Sequence, residues 1–265
     1  MRRYLVNGVE LAVEVTGTGP ALLFIHGYPF DHTIWSHSLA HLSGVRRIAP
    51  DLRGFGSSGA PATGSSMGAY AADLAGLLDV LETEKAVICG LSMGGYVAFE
   101  FLRAFRSRVA GLVLVATRAL ADSPEGKQAR DAAIAAARTG GAASVAEAML
   151  PKVLGPAGLN DASLVSTVRR MIERNPIAGL VGALTAMRDR PDSTPLLGGL
   201  GDIPTLVVAG DADRIIPLAE ISGMRDAIPG SHWRMIPGSG HLISMERPGM
   251  FTEALQGFVD STLKP

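Results

Sequence analysis

Residues 85–92, KAVICGLS, run into residues 93–105, MGGYVAFEFLRAF, with no loop residues between them. The first stretch is a continuous apolar run, the pattern of a strand buried on both faces. The second carries helical spacing. A chain that turns from strand to helix at one residue needs a strained backbone there and small neighbours that let the chains pass. Gly90 and Gly94 supply the small neighbours, and Ser92 sits at the apex of a G-L-S-M-G sequence. Such a turn pushes the Ser92 hydroxyl out of the sheet. It also places the Met93 backbone N–H at a helix N-terminus, where positive partial charge meets a developing oxyanion. The plain alternative is a glycine-rich turn with no chemistry, and the strand and helix on the correct sides argue against it.

The same alternation extends in both directions. YLVNGVELAVEV reads as two strands joined at Asn7-Gly8, a strong hairpin signal. ALLFIHG (21–27) and RRIAPD (46–51) read as strands, with helical spacing through Ile34, Trp35, Leu39 and Leu42 between them. A helix is expected over 67–82, with Tyr70, Leu74, Leu77, Leu78 and Leu81 on one side, and a strand over 109–117. Strands alternating with helices argue for an α/β fold with a mostly parallel sheet covered on both faces. The rhythm breaks over residues 118–203, where PEGKQARDAAIAAAR, SVAEAMLPKVL, ASLVSTVRRMIER and PIAGLVGALTAMRDR read as helices without strands. It resumes with a strand at 203–210, a helix over 217–228, a strand at 232–238 and a closing helix over 245–263. The expected organisation is an α/β core of residues 1–117 and 204–265 with a helical lid inserted at 118–203.

Composition narrows the partners. The formal net charge is -1 and no basic stripe is present, so neither nucleic acid nor an anionic membrane is favoured. No run of about 18 apolar residues exists for a spanning helix. The start, MRRYLVNGVELAVEV, lacks the continuous apolar segment of a signal peptide. The lone cysteine, Cys89, lies in a buried strand run and reads as a small hydrophobe. A soluble cytoplasmic protein, monomer or homodimer, is the expectation.

A serine hydroxyl needs a base. PGSGHLISMERP places His241 in a glycine-rich loop between the last strand and the last helix. His37 and His41 have a metal-ligand spacing, but HSLAH lacks the glutamate of H-E-x-x-H and a third ligand, so a solvated helix face is the better reading. His232 heads a strand and reads as a surface residue. The base needs an orienting carboxylate. VVAGDADRIIP puts Asp211 and Asp213 directly after a buried strand, where functional groups of open α/β sheets gather. Asp213 is the choice, with Asp211 bracing the turn. The order Ser92, Asp213, His241 fits a Ser-Asp-His triad. FIHGYPF (24–30) offers the Tyr28 backbone N–H as a second oxyanion donor, with Gly27 giving room and His26 hydrogen-bonded to loop backbone rather than catalytic.

Taken together, H-G-Y-P (26–29), D-L-R-G-F-G-S-S (51–58), G-L-S-M-G-G (90–95), G-D-A-D (210–213) and G-H-L-I-S-M-E-R-P (240–248) resemble the α/β-hydrolase superfamily over nearly the whole chain. The resemblance implies an eight-stranded, mostly parallel sheet and a cap inserted after the sixth strand. Carried over residue by residue, it implies Ser92 as nucleophile, His241 as base, Asp213 as acid, and the Tyr28 and Met93 amides as oxyanion hole. It implies no metal and no organic cofactor. A serine cannot form the alkyl-enzyme ester of the family's dehalogenases and epoxide hydrolases, which use aspartate. Within the serine branch the motifs are similar to small bacterial carboxylesterases, to 3-oxoadipate enol-lactonases and to cofactor-free haloperoxidases (perhydrolases). The first reading is cleavage of short to medium acyl esters; a small-molecule lactone or peracid reaction is the alternative. Some proteins of this fold only bind ligands, and the complete triad argues against that role. Met149, Leu150, Leu154, Leu184 and Met187, with Met171 and Leu180, either line a substrate pocket or pack the lid helices together. Arg138, Arg169, Arg170, Arg174, Arg188 and Arg190 are read mostly as solvated; one pointing inward would favour a substrate carrying a carboxylate.

Overall fold

The computed structural model describes residues 1–60 and 65–263. Eight strands form one sheet: β1 (Arg2–Val6), β2 (Val9–Thr16), β3 (Ala21–Ile25), β4 (Arg46–Pro50), β5 (Ala86–Leu91), β6 (Val109–Val115), β7 (Thr205–Gly210) and β8 (His232–Ile236). Their order across the sheet is β1-β2-β4-β3-β5-β6-β7-β8. The β1–β2 hairpin turns at Asn7 and Gly8, both at positive φ (49° and 76°), as a two-residue turn requires. β2 pairs antiparallel with β4, and every later pairing is parallel.

From β3 the chain steps outward to β4 and then returns past β3 to β5. That reversal opens a crevice at the carboxyl ends of β3 and β5, the usual ligand site of an open α/β sheet. Both strands are buried along their whole length, as their continuous apolar runs require. Helices α1 (Ser36–His41), α2 (Met67–Val80) and α3 (Met93–Phe105) follow in the first half. Ser66 caps α2 by accepting from the Ala69 N–H at 3.1 Å.

Between β6 and β7 the described chain is helical and carries no strand. α4 (Pro124–Val153), α5 (Pro156–Leu159), α6 (Ala162–Glu173) and α7 (Ile177–Arg188) pack with α4 against both α6 and α7. The two helices expected over 124–138 and 144–154 both form within Pro124–Val153, separated by a kink at Gly141, whose backbone is non-helical (φ 70°, ψ −170°). After β7 come α8 (Leu218–Asp226), α9 (Ile243–Glu246) and α10 (Pro248–Leu263), so the expected closing helix is split. Arg247, the residue at the break, has non-helical backbone dihedrals (φ −136°, ψ 58°), and Pro248 opens α10. No helix among the described residues is long and apolar enough to cross a membrane.

Two contacts position the crevice. Gly90 and Gly94 bring β5 and α3 so close that a Cβ on Gly90 would overlap the Gly94 carbonyl. The other is a buried ion pair between loops: His32 Nδ1 lies 2.6 Å from Asp51 Oδ1, which also accepts from the His32 N–H at 2.9 Å. Burial would lower the His32 pKa, but the bond to Asp51 and the charges of Asp51, Asp31 and Glu14 override it and raise the value. Burial opposes the Asp51 charge too, and the bonds from His32 and Ser57 hold that carboxyl below its usual range.

Gly90→Ala should therefore cost at least about 3 kcal/mol or prevent folding; a urea midpoint equal to that of the unmodified protein would contradict the close packing. The His32 pair has a defined pH window. A raised histidine pKa stabilises below the unfolded value of about 6.5 and the contribution is lost as pH rises through the folded value. The lowered Asp51 value adds stability that is lost in acid. The stability difference between the unmodified protein and His32→Asn should be largest between these limits and shrink from pH 6 to pH 9, measured by urea unfolding; a constant difference would refute the pairing.

Candidate active site

Ser92 leaves β5 with φ 53° and ψ −113°, dihedrals that a residue with a Cβ rarely adopts. Holding them costs on the order of 1–3 kcal/mol, and the surroundings must supply it. Ser92 N–H donates to Val115 O at 2.9 Å, and the Ser92 carbonyl accepts from Thr117 Oγ1 at 2.8 Å and from Gly95 N–H at 2.9 Å. Gly95 packs so tightly on Thr117 that a Cβ there would collide with its side chain. The serine is pinned from β6 on one side and from α3 on the other, and 8% of its surface reaches solvent.

The loop after β3 lies against this turn. A Cβ on Gly27 would stand 2.9 Å from Leu91 O and 3.3 Å from Ser92 Cβ, so only glycine fits. Gly27 thus brings the Tyr28 amide to the elbow. Neither the Tyr28 N–H nor the Met93 N–H meets an acceptor among the described residues. His26 is fully used as scaffold: Nδ1 donates to Gly27 O at 3.0 Å and Nε2 accepts from Leu52 N–H at 3.0 Å. Burial pushes its pKa down, which keeps the ring neutral for those two bonds.

His241 and Asp213 meet. Nδ1 of His241 donates to Asp213 Oδ2 at 2.8 Å, and the two side chains are 1% and 0% exposed. The second carboxylate oxygen accepts from the Ile215 and Ile216 N–H groups at 2.7 and 3.1 Å. With its proton on Nδ1, a neutral His241 ring has Nε2 free to accept. Asp211 takes the bracing role, accepting from Gly238 N–H at 2.7 Å. The His241 loop is tied to the end of α4: the His241 and Leu242 N–H groups donate to Val153 O at 3.1 and 3.0 Å. Glu246 Oε2 accepts from Gly155 N–H at 2.7 Å, and burial raises the pKa of this carboxyl despite the amides around it.

A cavity of about 310 Å³ lies under the helical segment, walled by Tyr28, Ile215 and residues of α4 and α7. Met149 and Leu184 are among the residues that line it. Leu150, Leu154 and Met187 do not; they are buried at 4%, 0% and 2% exposure and belong to the packing of the helices, as do Met171 and Leu180. The wall also holds Arg118, Arg130, Asp122 and Lys152, charges that no local motif marks as neighbours. Asp122 is buried under three guanidiniums, at 3.1 Å from Arg118, 3.0 Å from Arg130 and 2.8 Å from Arg190. Arg190, expected at the surface, is buried instead and stacks on Tyr96 at 4.1 Å. The nearest local sign was an Asp122 eight residues before Arg130 across a helix start, which has no fixed spacing to recognise.

The other histidines hold no reactive position. His37 and His41 stack at 4.1 Å, with His37 Nδ1 bonded to Thr252 Oγ1 and His41 Nδ1 to the His37 carbonyl. His232 is exposed on β8. Asp31, His32 and Asp51 come within metal-binding distance of one another. Their atoms are already engaged: Asp31 by Thr33 and Arg174, and Asp51 by His32 and Ser57. They form a hydrogen-bonded ion cluster.

Comparison with known proteins agrees with this architecture. The chain is 40% identical to a thermophilic esterase from Thermogutta terrifontis, solved with malate bound, with complete coverage of both chains (100% and 100%) and a TM-score of 0.95. It is 27% identical to the enol-lactonase from Burkholderia xenovorans LB400, over 97% of this chain and 99% of that one, with a TM-score of 0.90. It is 28% identical over 258 residues to 3-oxoadipate enol-lactonase 1 of Acinetobacter baylyi, covering 96% of this chain and 95% of the relative. A family model described as the alpha/beta hydrolase fold matches residues 20–248, and with its sheet order and its strand-to-helix elbow the chain belongs to that family.

Proposed function

We propose that the protein is a serine hydrolase that cleaves carboxylic esters of short to medium acyl chain. The observation that carries this reading is the strained Ser92 at the carboxyl end of β5, with a buried His241–Asp213 pair supplied from loops on the same side of the sheet. In the proposed reaction Ser92 Oγ attacks the ester carbonyl and its proton passes to His241 Nε2. Asp213 fixes the tautomer and stabilises the imidazolium. The oxyanion rests on the Tyr28 and Met93 amides, and the helix N-terminus at Met93 adds favourable partial charge. His241 returns the proton to the leaving alcohol, and the acyl group stays on Ser92. Water, deprotonated by His241, then attacks the acyl-enzyme, and His241 passes that proton to Ser92 Oγ as the acid is freed. The helical residues between β6 and β7 form a cap over the acyl site, and its Met149 and Leu184 suit an apolar chain.

A second reading has its own observation. Arg118, Arg130 and Lys152 line the cavity against the carboxylate of Asp122, while Glu220 also pairs with Arg118 and the buried Arg190 with Asp122; Lys152 makes no ion pair among the described residues. The surplus positive charge favours an ester or lactone whose acid part carries a second carboxylate. The esterase relative solved with malate, a dicarboxylate, and the enol-lactonase relatives support the same direction.

Ser92→Ala should lower turnover of p-nitrophenyl butyrate by several orders of magnitude, since triad members act as a unit. Ser92→Gly should be equally inactive but more stable than Ser92→Ala by about 1–3 kcal/mol, because glycine accepts the elbow dihedrals. Hydrolysis by Ser92→Ala at the unmodified rate would refute the nucleophile. For the second reading, kcat/KM for p-nitrophenyl hydrogen adipate is compared with that for p-nitrophenyl hexanoate. A partly exposed charge-assisted bond predicts that Arg130→Ala lowers this ratio about tenfold; an unchanged ratio would remove Arg130 from substrate recognition.

A further inference from the structure

We infer that Asn175, at the junction of α6 and α7, is a positioning residue that sets the Tyr28 amide for the oxyanion; this rests on the hydrolase reading above. Asn175 is 3% exposed, and a buried amide is tolerated only with its polar atoms paired. Its Nδ2 donates to Pro29 O at 2.8 Å and to Met171 O at 3.0 Å, and its Oδ1 accepts from Gly56 N–H at 2.8 Å. Two carbonyls on one side and one N–H on the other permit a single orientation of the amide. One side chain therefore joins the helical segment to the loop after β3 and to the loop after β4.

What it grips next to Tyr28 matters. Pro29 is the residue after the proposed oxyanion donor. The neighbouring Arg174 reaches the same loop, with Nε donating to Asp31 Oδ2 at 2.7 Å and its NH2 group bonded to the same oxygen. Asp31 is completely buried and also caps the following turn through Thr33 N–H at 3.0 Å. On the opposite side Gly27 abuts Leu91 and Ser92, and His26 is tied to Leu52. The Tyr28 peptide is thus clamped between the elbow and the α6–α7 junction. The junction cannot drift, because Gly179 at the start of α7 packs on Gly54 with no space for a Cβ on either residue. A donor acts on an oxyanion only when held to a few tenths of an ångström, so the helical segment contributes to the chemical step without touching substrate.

The test compares Asn175→Ala, Asn175→Asp and Arg174→Gln in the full-length protein with p-nitrophenyl butyrate. Asn175→Asp keeps an acceptor for Gly56 and loses the donor to Pro29. Arg174 is half exposed at its side chain, so Arg174→Gln remains foldable if the Asn175 variants do not. Loss of one positioned donor predicts a fall in kcat of about 10- to 100-fold for both Asn175 variants and a smaller fall for Arg174→Gln, with KM within about twofold. Affinity for an alkyl trifluoromethyl ketone, whose adduct on Ser92 places an oxyanion at the same position, should fall by the same factor as kcat. A kcat unchanged in all folded variants overturns the inference. So does a fall in kcat with unchanged ketone affinity, or a rise in KM alone. If the unmodified protein turns over no ester, or Ser92→Ala matches it, the hydrolase reading itself fails.

Discussion

The backbone of Ser92 is the constraint on which the rest depends. A residue at φ 53° and ψ −113° between a fully buried strand and a helix is unfavourable by itself. It persists because β6 supplies Val115 O and the segment just after it Thr117 Oγ1, because Gly90 lets Gly94 pass, and because Gly27 leaves room at the tip. Each support comes from a different strand or loop. The elbow is therefore a property of the assembled sheet, and the sheet order that brings β3, β5 and β6 side by side is what makes it possible.

The helical segment between β6 and β7 is seated at two points, beside the loops that carry His241 and Tyr28. The end of α4 accepts both amides of the His241–Leu242 pair through Val153 O, and Glu246 reaches across to Gly155. The α6–α7 junction holds the loop carrying Tyr28 through Asn175 and Arg174. These seats are hydrogen-bonded and, apart from the half-exposed Arg174 side chain, buried, so the segment is tied to the loops it covers. The cavity wall is apolar at Met149 and Leu184 and cationic around Asp122.

The fold was largely legible in the sequence because its signals are local. Continuous apolar runs ending in glycine gave β3, β5 and β7, and Asn7-Gly8 gave the hairpin. The elbow could be read from G-L-S-M-G with a strand before it and a helix after it. Placement after a buried strand pointed to Asp211 and Asp213 alike; in the structure Asp213 meets His241, and Asp211 accepts from Gly238 N–H. What stayed hidden depends on long-range contact. Leu150, Leu154 and Met187 differ from Met149 and Leu184 only in which way each helix face turns once α4, α6 and α7 pack. Asn175 stands before Pro176 and reads as an ordinary turn residue, while its partners Pro29 and Gly56 lie more than a hundred positions away. Arg190 looked solvated because nothing nearby in sequence announces Asp122 and Tyr96 as its partners.

The proposed reaction puts the acyl group on Ser92. It is tested most directly by quenching the protein in acid during turnover of an activated ester and measuring its mass, then locating any adduct in the tryptic peptide of residues 86–103. The account predicts a mass increase equal to one acyl group, confined to that peptide, on Ser92, and absent from Ser92→Ala. Steady turnover with the acyl group on another residue, or with no acyl-enzyme formed even when deacylation is slowed, would contradict it.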